Sequence, residues 1–268
     1  MLTMPILTML GLDFAMVVAM MVLLWLVALR INDVSFIDAV WGAGMAAVAL
    51  FAWWQVGFAG GRAGLIALMA MAWGLRLGLY LFVRWRGHGE DPRYAKMLAK
   101  PRAEGRFARV ALTRVFLMQA VLLFVTSLPA QAGVLASAGA VSGPLATAGA
   151  ALWLLGMVFE TVGDWQLNRF RADPASKGKV LDSGLWRYTR HPNYFGDACA
   201  WWGIWLAAAE AGWGVAAATV IGPLFLTYTL TRWSGKPLLE KGMAKTRPGY
   251  AEYIARTSGF VPWFPRRG

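Results

Sequence analysis

The sequence predicts an all-α integral membrane protein with about seven transmembrane helices, its N-terminus outside and its C-terminus cytoplasmic. Three observations carry that expectation. The 268 residues are 58% apolar and only 15% charged, with 15 Trp and 14 Phe. The apolar residues gather in stretches of roughly 20, the length that crosses a bilayer core. The 26 Lys and Arg fall almost entirely between alternate stretches, as the positive-inside rule requires.

The first stretch, 5–29, is too long for the apolar core of a signal peptide. It ends in Arg30 without a small-residue cleavage site and reads as a retained span. The remaining six lie near 36–58, 64–83, 110–130, 146–166, 194–210 and 213–231. Pro129 and Pro223 punctuate the fourth and seventh, which membrane helices tolerate where neighbours satisfy the freed carbonyl. With the N-terminus outside, the inside segments 30–35, 84–109, 167–193 and 232–268 hold the basic residues. Only Arg62 falls on an outside loop, while Arg76 and Arg114 lie within or at the rim of spans. No repeat or linker divides the chain, so 1–268 reads as a single membrane domain.

Composition excludes several functions. The net charge of +12 is a topology signal, and no aromatic–basic module accompanies it, so no nucleic-acid partner is expected. The lone Cys199, inside an apolar run, rules out an intrachain disulfide and reads as a buried small hydrophobe. No HExxH or Cys/His cluster supports a metal, no GxSxG a serine hydrolase, and no GxGxxG a Rossmann domain. His88, on the polar stretch RWRGHGEDPRY, reads as solvated.

Ionisable groups at the spans are the informative residues, because lipid makes them costly and they mark sites by default. Asp38, Arg76, Glu160, Asp164 and Asp197 all lie within spans or at their inner rims. Glu160 and Asp164 are four residues apart and share a helix face, which Asn168 and Arg171 continue; Asn193 and Asp197 repeat that spacing. The basic loop between the two faces supplies Lys177, Lys179, Arg187, Arg190 and His191, more donors than the carboxylates can pair. Such a rim suits a ligand with phosphates at one end and hydroxyls or an amide at the other. A pyridine dinucleotide fits, and S-adenosylmethionine fits less well. Pro192 should open a helix after His191, since proline suits the first helical turn and disfavours helical geometry in the residue before it.

The stretch SGLWRYTRHPNYFGD resembles the C-terminal signature of the steroid 5-alpha-reductase family and its bacterial relatives, and is similar to the RHxNYxGD stretch of sterol C14 and C7 reductases. YAEYIARTSGFVPWF resembles the ending of the same superfamily, and the likeness is most specific over 151–268. The resemblance implies a seven-helix membrane reductase that uses NADPH to reduce an activated C=C bond of a 3-oxo-Δ4-steroid or similar lipid-like enone. It assigns the substrate-side helices to 1–130 and the cofactor-binding half to 146–268. It implies cofactor contacts at Asp164, Arg171, Lys179, Asn193 and Asp197, with Glu160 where the family carries asparagine. Arg93 in DPRY, Arg232 and Glu240 match more loosely, and Arg190 and His191 flank the same site as donors. On the substrate side Asp38 stands where the human steroid enzymes carry a glutamate. Trp73 or Arg76 falls near the position of their tyrosine, and Tyr80, on nearly the same face, is the hydroxyl taken with Asp38 as catalytic. Enolate formation needs a proton or hydrogen bond where charge develops.

Two other readings stand beside this one. An isoprenylcysteine-type methyltransferase using S-adenosylmethionine is also a small helical membrane protein with an RHPxY-like stretch. A transporter would use the carboxylates as proton relays, but they cluster at the inner half and offer no route outward. The expected partners are an apolar small molecule and membrane lipid, with the chain a monomer. The Ala-, Gly-, Trp- and Arg-rich composition points to a bacterial inner membrane.

Overall fold

A computed structural model describes residues 3–86, 89–233 and 235–266; His88 lies outside the described residues. All regular structure among them is helical. In chain order the helices are α1 Met4–Ile31, α2 Ile37–Gln55, α3 Gly61–Arg86, α4 Pro92–Ala103, α5 Phe107–Ala111, α6 Leu117–Ala136, α7 Pro144–Ala172, α8 Pro192–Ala209, α9 Trp213–Thr219, α10 Ile221–Tyr228, α11 Lys236–Thr246 and α12 Tyr250–Arg256. Wider π-helical turns fall at Leu112–Phe116, joining α5 to α6, and at Thr229–Trp233, after α10.

Six helical runs are long and apolar enough to cross a membrane: α1, α2, α3, Phe107–Ala136, α7 and Trp213–Thr246. This is a multi-pass membrane protein. The sixth expected span corresponds to α8, whose 18 residues include Pro192, Asn193 and Asp197 and are less apolar than the others. The helix α1 shows how the spans are solvated. It buries Leu10, Asp13, Val17, Met21 and Ala28, while Leu12, Leu23, Leu26 and Val27 stay exposed. An apolar exposed face of that kind is what lipid solvates, and helices in lipid are held by close packing and by polar contacts instead.

The described residues form two compact units. One comprises Met1–Thr147 with Ile204–Gly222, the other Ala148–Gly203 with Pro223–Gly268. In the first, α2 and α3 touch through Gly42, Gly74 and Gly78: a methyl group on Gly42 would strike the Gly74 carbonyl. Arg62, expected on an outside loop, is buried here, donating from Nε to the Ser137 hydroxyl at 2.9 Å and pairing with Glu210 at 3.4 Å. Glu210 in turn accepts from the Gly143 and Ala146 amides at the start of α7, where a carboxylate satisfies free N–H groups. Arg62 is therefore internally neutralised, which accounts for its departure from the charge pattern.

In the second unit, α7 and α8 meet along a seam of glycines. Gly149, Gly156 and Gly163 recur every seven residues on α7, as Gly196 and Gly203 do on α8. A Cβ on Gly196 would meet the Gly156 carbonyl and the Glu160 amide, and one on Gly203 the Gly149 carbonyl. The small-residue stripe lets the two backbones touch.

Gly196→Leu should therefore destabilise the chain by about 1–3 kcal/mol or more, through overpacking against backbone that cannot yield. Gly11→Ala on α1, where an added Cβ meets nothing within 4 Å, should leave stability unchanged or slightly raised. Thermal unfolding of the detergent-solubilised variants checks the contrast.

Candidate functional site

The first unit builds its polar cluster from the short loop between α1 and α2. The Asp33 carboxylate accepts from the Ser35 amide at 2.7 Å, and the Ser35 hydroxyl accepts from the Asp91 amide at 3.0 Å. Asp91 caps α4, accepting from the Arg93 amide at 2.8 Å, with Pro92 at the first helical position. Both residues are strong helix starters. The cap delivers the next two side chains to the first turn of α2. Arg93 donates to Asp38 Oδ2 at 2.8 Å and the Tyr94 hydroxyl to Asp38 Oδ1 at 2.9 Å. Nearby, Gln119 accepts from the Trp41 indole at 2.5 Å. Burial, and then the Asp38 carboxylate, push the Tyr94 phenol well above its ordinary range, so it keeps its proton.

This arrangement revises two sequence expectations. The tyrosine bonded to Asp38 is Tyr94, while Tyr80 lies against the Arg76 guanidinium, 5.6 Å from its ring centre. Arg93, expected at the cofactor, donates from Nε and Nη2 to Asp38 and Asp91 in the first unit. The signal for Tyr94 was present in the sequence: Asp-Pro followed by Arg-Tyr is a capped helix start that fixes where the tyrosine points.

The second unit holds the rest. Pro192 opens α8 immediately after the loop, as expected of a proline in the first turn. The glycine seam brings the buried Glu160 and Asp164 of α7 against the start of α8, where Asn193 donates from Nδ2 to Asp164 Oδ1 at 3.1 Å. Asn193 Oδ1 accepts from the Tyr194 amide, which fixes the orientation of its amide. Asp197, one turn on, is also buried. Arg171 in the last turn of α7 and Lys179 in the following loop line a narrow cleft. Arg232 is exposed on the π-helical turn Thr229–Trp233.

Arg190, His191 and Glu240 form a separate clasp. Arg190 donates to Glu240 from Nε at 2.8 Å and from Nη2 at 3.4 Å, and from Nη1 to the Ile254 and Thr257 carbonyls. The His191 ring nitrogen Nε2 lies 3.0 Å from the same carboxylate. Arg190 and His191 were expected to face a ligand as donors, and Glu240 to touch it. Their polar atoms instead bind one another and the C-terminal segment, since a buried guanidinium must satisfy its N–H groups internally.

The donor set of the second unit fits a dinucleotide. Along α7 and the loop, carboxylates and an amide at the buried end give way to a guanidinium and an ammonium at the exposed end. Groups of the first kind accept from hydroxyls and amides, and those of the second donate to phosphate oxygens.

The model of a family described as a protein of unknown function (DUF1295) matches residues 24–257. Three curated relatives carry the resemblance seen in the sequence, all described as 3-oxo-5-alpha-steroid 4-dehydrogenase 1. The Bos taurus protein is 35% identical over 79 residues, 29% of this chain and 31% of the relative. The Rattus norvegicus protein is 33% identical over 91 residues, covering 34% and 32%, and the Mus musculus protein 37% over 68 residues, covering 25% and 27%. The chain spans about a third of the length of the curated relatives it matches. No solved structure matches.

The clasp generates a pH dependence. Burial holds the His191 imidazole below its ordinary value of 6.5, against the raising effect of Glu240, and Arg190 and Lys236 add to the lowering. On acidification the unfolded chain therefore takes up the proton first. The histidine's contribution to stability is complete above about pH 6.5 and is lost as pH falls through the lower folded value. His191→Gln should flatten the fall in thermal stability measured between pH 7 and 5.

Proposed function

This chain belongs to the family described as a protein of unknown function (DUF1295), and we propose that it is a membrane-embedded, NADPH-dependent reductase of an activated C=C bond in a 3-oxo-Δ4-steroid or similar lipid-like enone. The observation that carries the reading is Tyr94 on Asp38, a half-buried phenol held in its protonated form by a carboxylate beside apolar helices. The names of the curated relatives support the same class of substrate.

Bound NADPH would supply a hydride. The chain's residues do the remaining work. Tyr94 donates a hydrogen bond, and then a proton, to the oxygen on which enolate charge develops. Asp38 orients the phenol by accepting from its hydroxyl at 2.9 Å. Asp164, Asn193, Arg171 and Lys179 hold the cofactor, with Glu160 and Asp197 shaping the buried end. The exposed Arg232 adds a cation for phosphate. In the membrane, α8 serves as a further span beside the six apolar runs, giving seven with the C-terminus cytoplasmic. The chain acts as a monomer in a bacterial inner membrane.

NADPH should raise the thermal stability of the purified chain by mass action, about 2.7 kcal/mol at a hundredfold excess over Kd. Higher salt should weaken the effect by screening the phosphate contacts. If S-adenosylmethionine stabilises the chain and NADPH does not, a methyltransferase replaces the reductase.

Tyr94→Phe should lower enone-dependent NADPH oxidation about 10²–10⁴-fold while leaving the NADPH-induced thermal shift intact. Tyr80→Phe should leave turnover nearly unchanged. A Tyr94→Phe variant with full turnover would show that another group protonates the substrate.

A further inference from the structure

The C-terminal segment presents its largest apolar side chains outward. Trp263 and Phe264 are 72% and 76% exposed, and Val261 and Tyr188 are exposed with them. The segment is nevertheless fixed. The Trp263 amide donates to the Tyr188 carbonyl and the Arg266 amide to the Arg256 carbonyl, both at 2.9 Å, and the Ser258 hydroxyl donates to the Val261 carbonyl. The Phe264 ring meets the Tyr188 ring edge-on, with centroids 6.1 Å apart. A contiguous apolar patch held in place on a surface marks a contact with something outside the fold.

The height of this patch follows from α7 in the same unit. The exposed side of that helix runs through Leu154, Leu155 and Val158 to Trp165, and then to Arg169 and Arg171. The Arg169 guanidinium lies over the Trp165 ring, 5.7 Å from its centre. A tryptophan between a leucine-lined stretch and arginines marks the edge of the acyl region. The loop before α8 touches α7 at this edge. The Trp186 indole donates to the Gly163 carbonyl at 3.1 Å, and the Leu185 amide to the Gln166 side-chain oxygen at 3.0 Å. Tyr188 caps the same short turn, so it and the segment bonded to it lie at the membrane–water boundary.

Beside the aromatic patch the segment encloses a cavity of about 330 Å³, bordered by Trp263, Phe264, Ser258, Arg256 and Arg266. That is the size of a small-molecule site, and no carboxylate is among the described residues that line it. Arg266 forms no ion pair among the described residues. Arg256 pairs with Asp182, but both side chains are 47% exposed, and solvent makes such a pair weak. Arg190 also borders the cavity, with its donors taken by Glu240 and two carbonyls.

We propose that Val261–Phe264 is an interfacial anchor whose apolar side chains enter the leaflet at the basic end of α7, and that the adjoining cavity takes the phosphate headgroup of an anionic phospholipid. Aromatic rings settle at the boundary between headgroups and acyl chains. Arginine forks bind phosphate oxygens, and basic residues at a membrane surface select anionic over zwitterionic lipid. A soluble partner could cover the rings, but at this height the acyl boundary already reaches them. The proposal needs only that the chain spans a membrane and is independent of the reductase reading.

The test uses the full chain in two settings. In bilayer nanodiscs, a spin label on Trp263→Cys in a Cys199→Ala background should be reached by oxygen, which concentrates among acyl chains, more readily than by a water-soluble nickel chelate. In detergent, phosphatidylglycerol should bind the chain more tightly than phosphatidylcholine does. Arg256→Gln and Arg266→Gln should each lower that preference about fivefold. Lys241→Gln with Lys245→Gln removes the same charge from exposed positions of α11 that do not border the cavity, and should leave the preference unchanged. Trp263→Ser with Phe264→Ser should weaken lipid binding without lowering the stability of the lipid-free chain, since both rings are already exposed. A label open to the nickel chelate would place the patch in water and overturn the anchor. A label shielded from both reagents, in particles holding two chains, would assign the patch to a second copy and overturn it too. Equal losses from the lysine and arginine pairs would reduce the lipid preference to diffuse charge and remove the headgroup site. So would inorganic phosphate that stabilises the parent as well as phosphatidylglycerol does, by assigning the cavity to a soluble anion.

Discussion

The candidate cofactor site depends on how closely α7 and α8 approach. In lipid, apolar side chains gain nothing by turning from acyl chains to one another, so two helices associate through packing and polar contacts. The glycines at 149, 156, 163, 196 and 203 remove the side chains that would hold the backbones apart. With the backbones in contact, Asn193 can reach Asp164, and Glu160 and Asp197 are buried without being driven into lipid. Widen the gap by one side chain and the amide–carboxylate bond is lost, leaving polar groups unpaired where water cannot reach them.

A second constraint acts where the chain leaves the helices. The loop before α8 and the C-terminal segment are laced by backbone bonds: the Arg190 amide donates to Ser258 O and the Trp263 amide to Tyr188 O, both at 2.9 Å. The Thr189 hydroxyl adds a bond to the Phe260 carbonyl at 2.8 Å. Arg190 and His191 on Glu240 close the same joint with charge. The stretch RYTRHP thus looks like a ligand-binding motif because of its basic residues, yet Thr189, Arg190 and His191 bind the C-terminal segment.

What the sequence made legible follows from the range of each interaction. Spans are written in local composition, and six of the seven expected stretches are helices of sufficient length and apolarity. The start of α8 is written in one proline. The glycine seam is equally present as a seven-residue period, but glycine carries no hydropathy signal to mark it. The helix α4 escaped for the opposite reason, being short and polar, and Tyr94 escaped with it. The pairing of Arg190 with Glu240 joins residues 50 apart, and no local pattern announces it. Counting cations against carboxylates therefore overstated the donors open to a ligand.

The two carboxylate clusters also differ in what they can do, and exposure is the reason. The Arg190 and Glu240 side chains are 8% and 15% exposed, so their pair is desolvated, and breaking it would strand a buried charge. That pair is architecture. The Arg93 and Asp38 side chains are 61% and 39% exposed, and a pair so open to solvent contributes about 0–1 kcal/mol. Arg93 can leave Asp38 at little cost to the fold, whereas the half-buried Tyr94 hydroxyl keeps its bond to Asp38. One carboxylate thus carries two bonds of different shielding, an exposed one to the Arg93 guanidinium and a part-buried one to the Tyr94 hydroxyl.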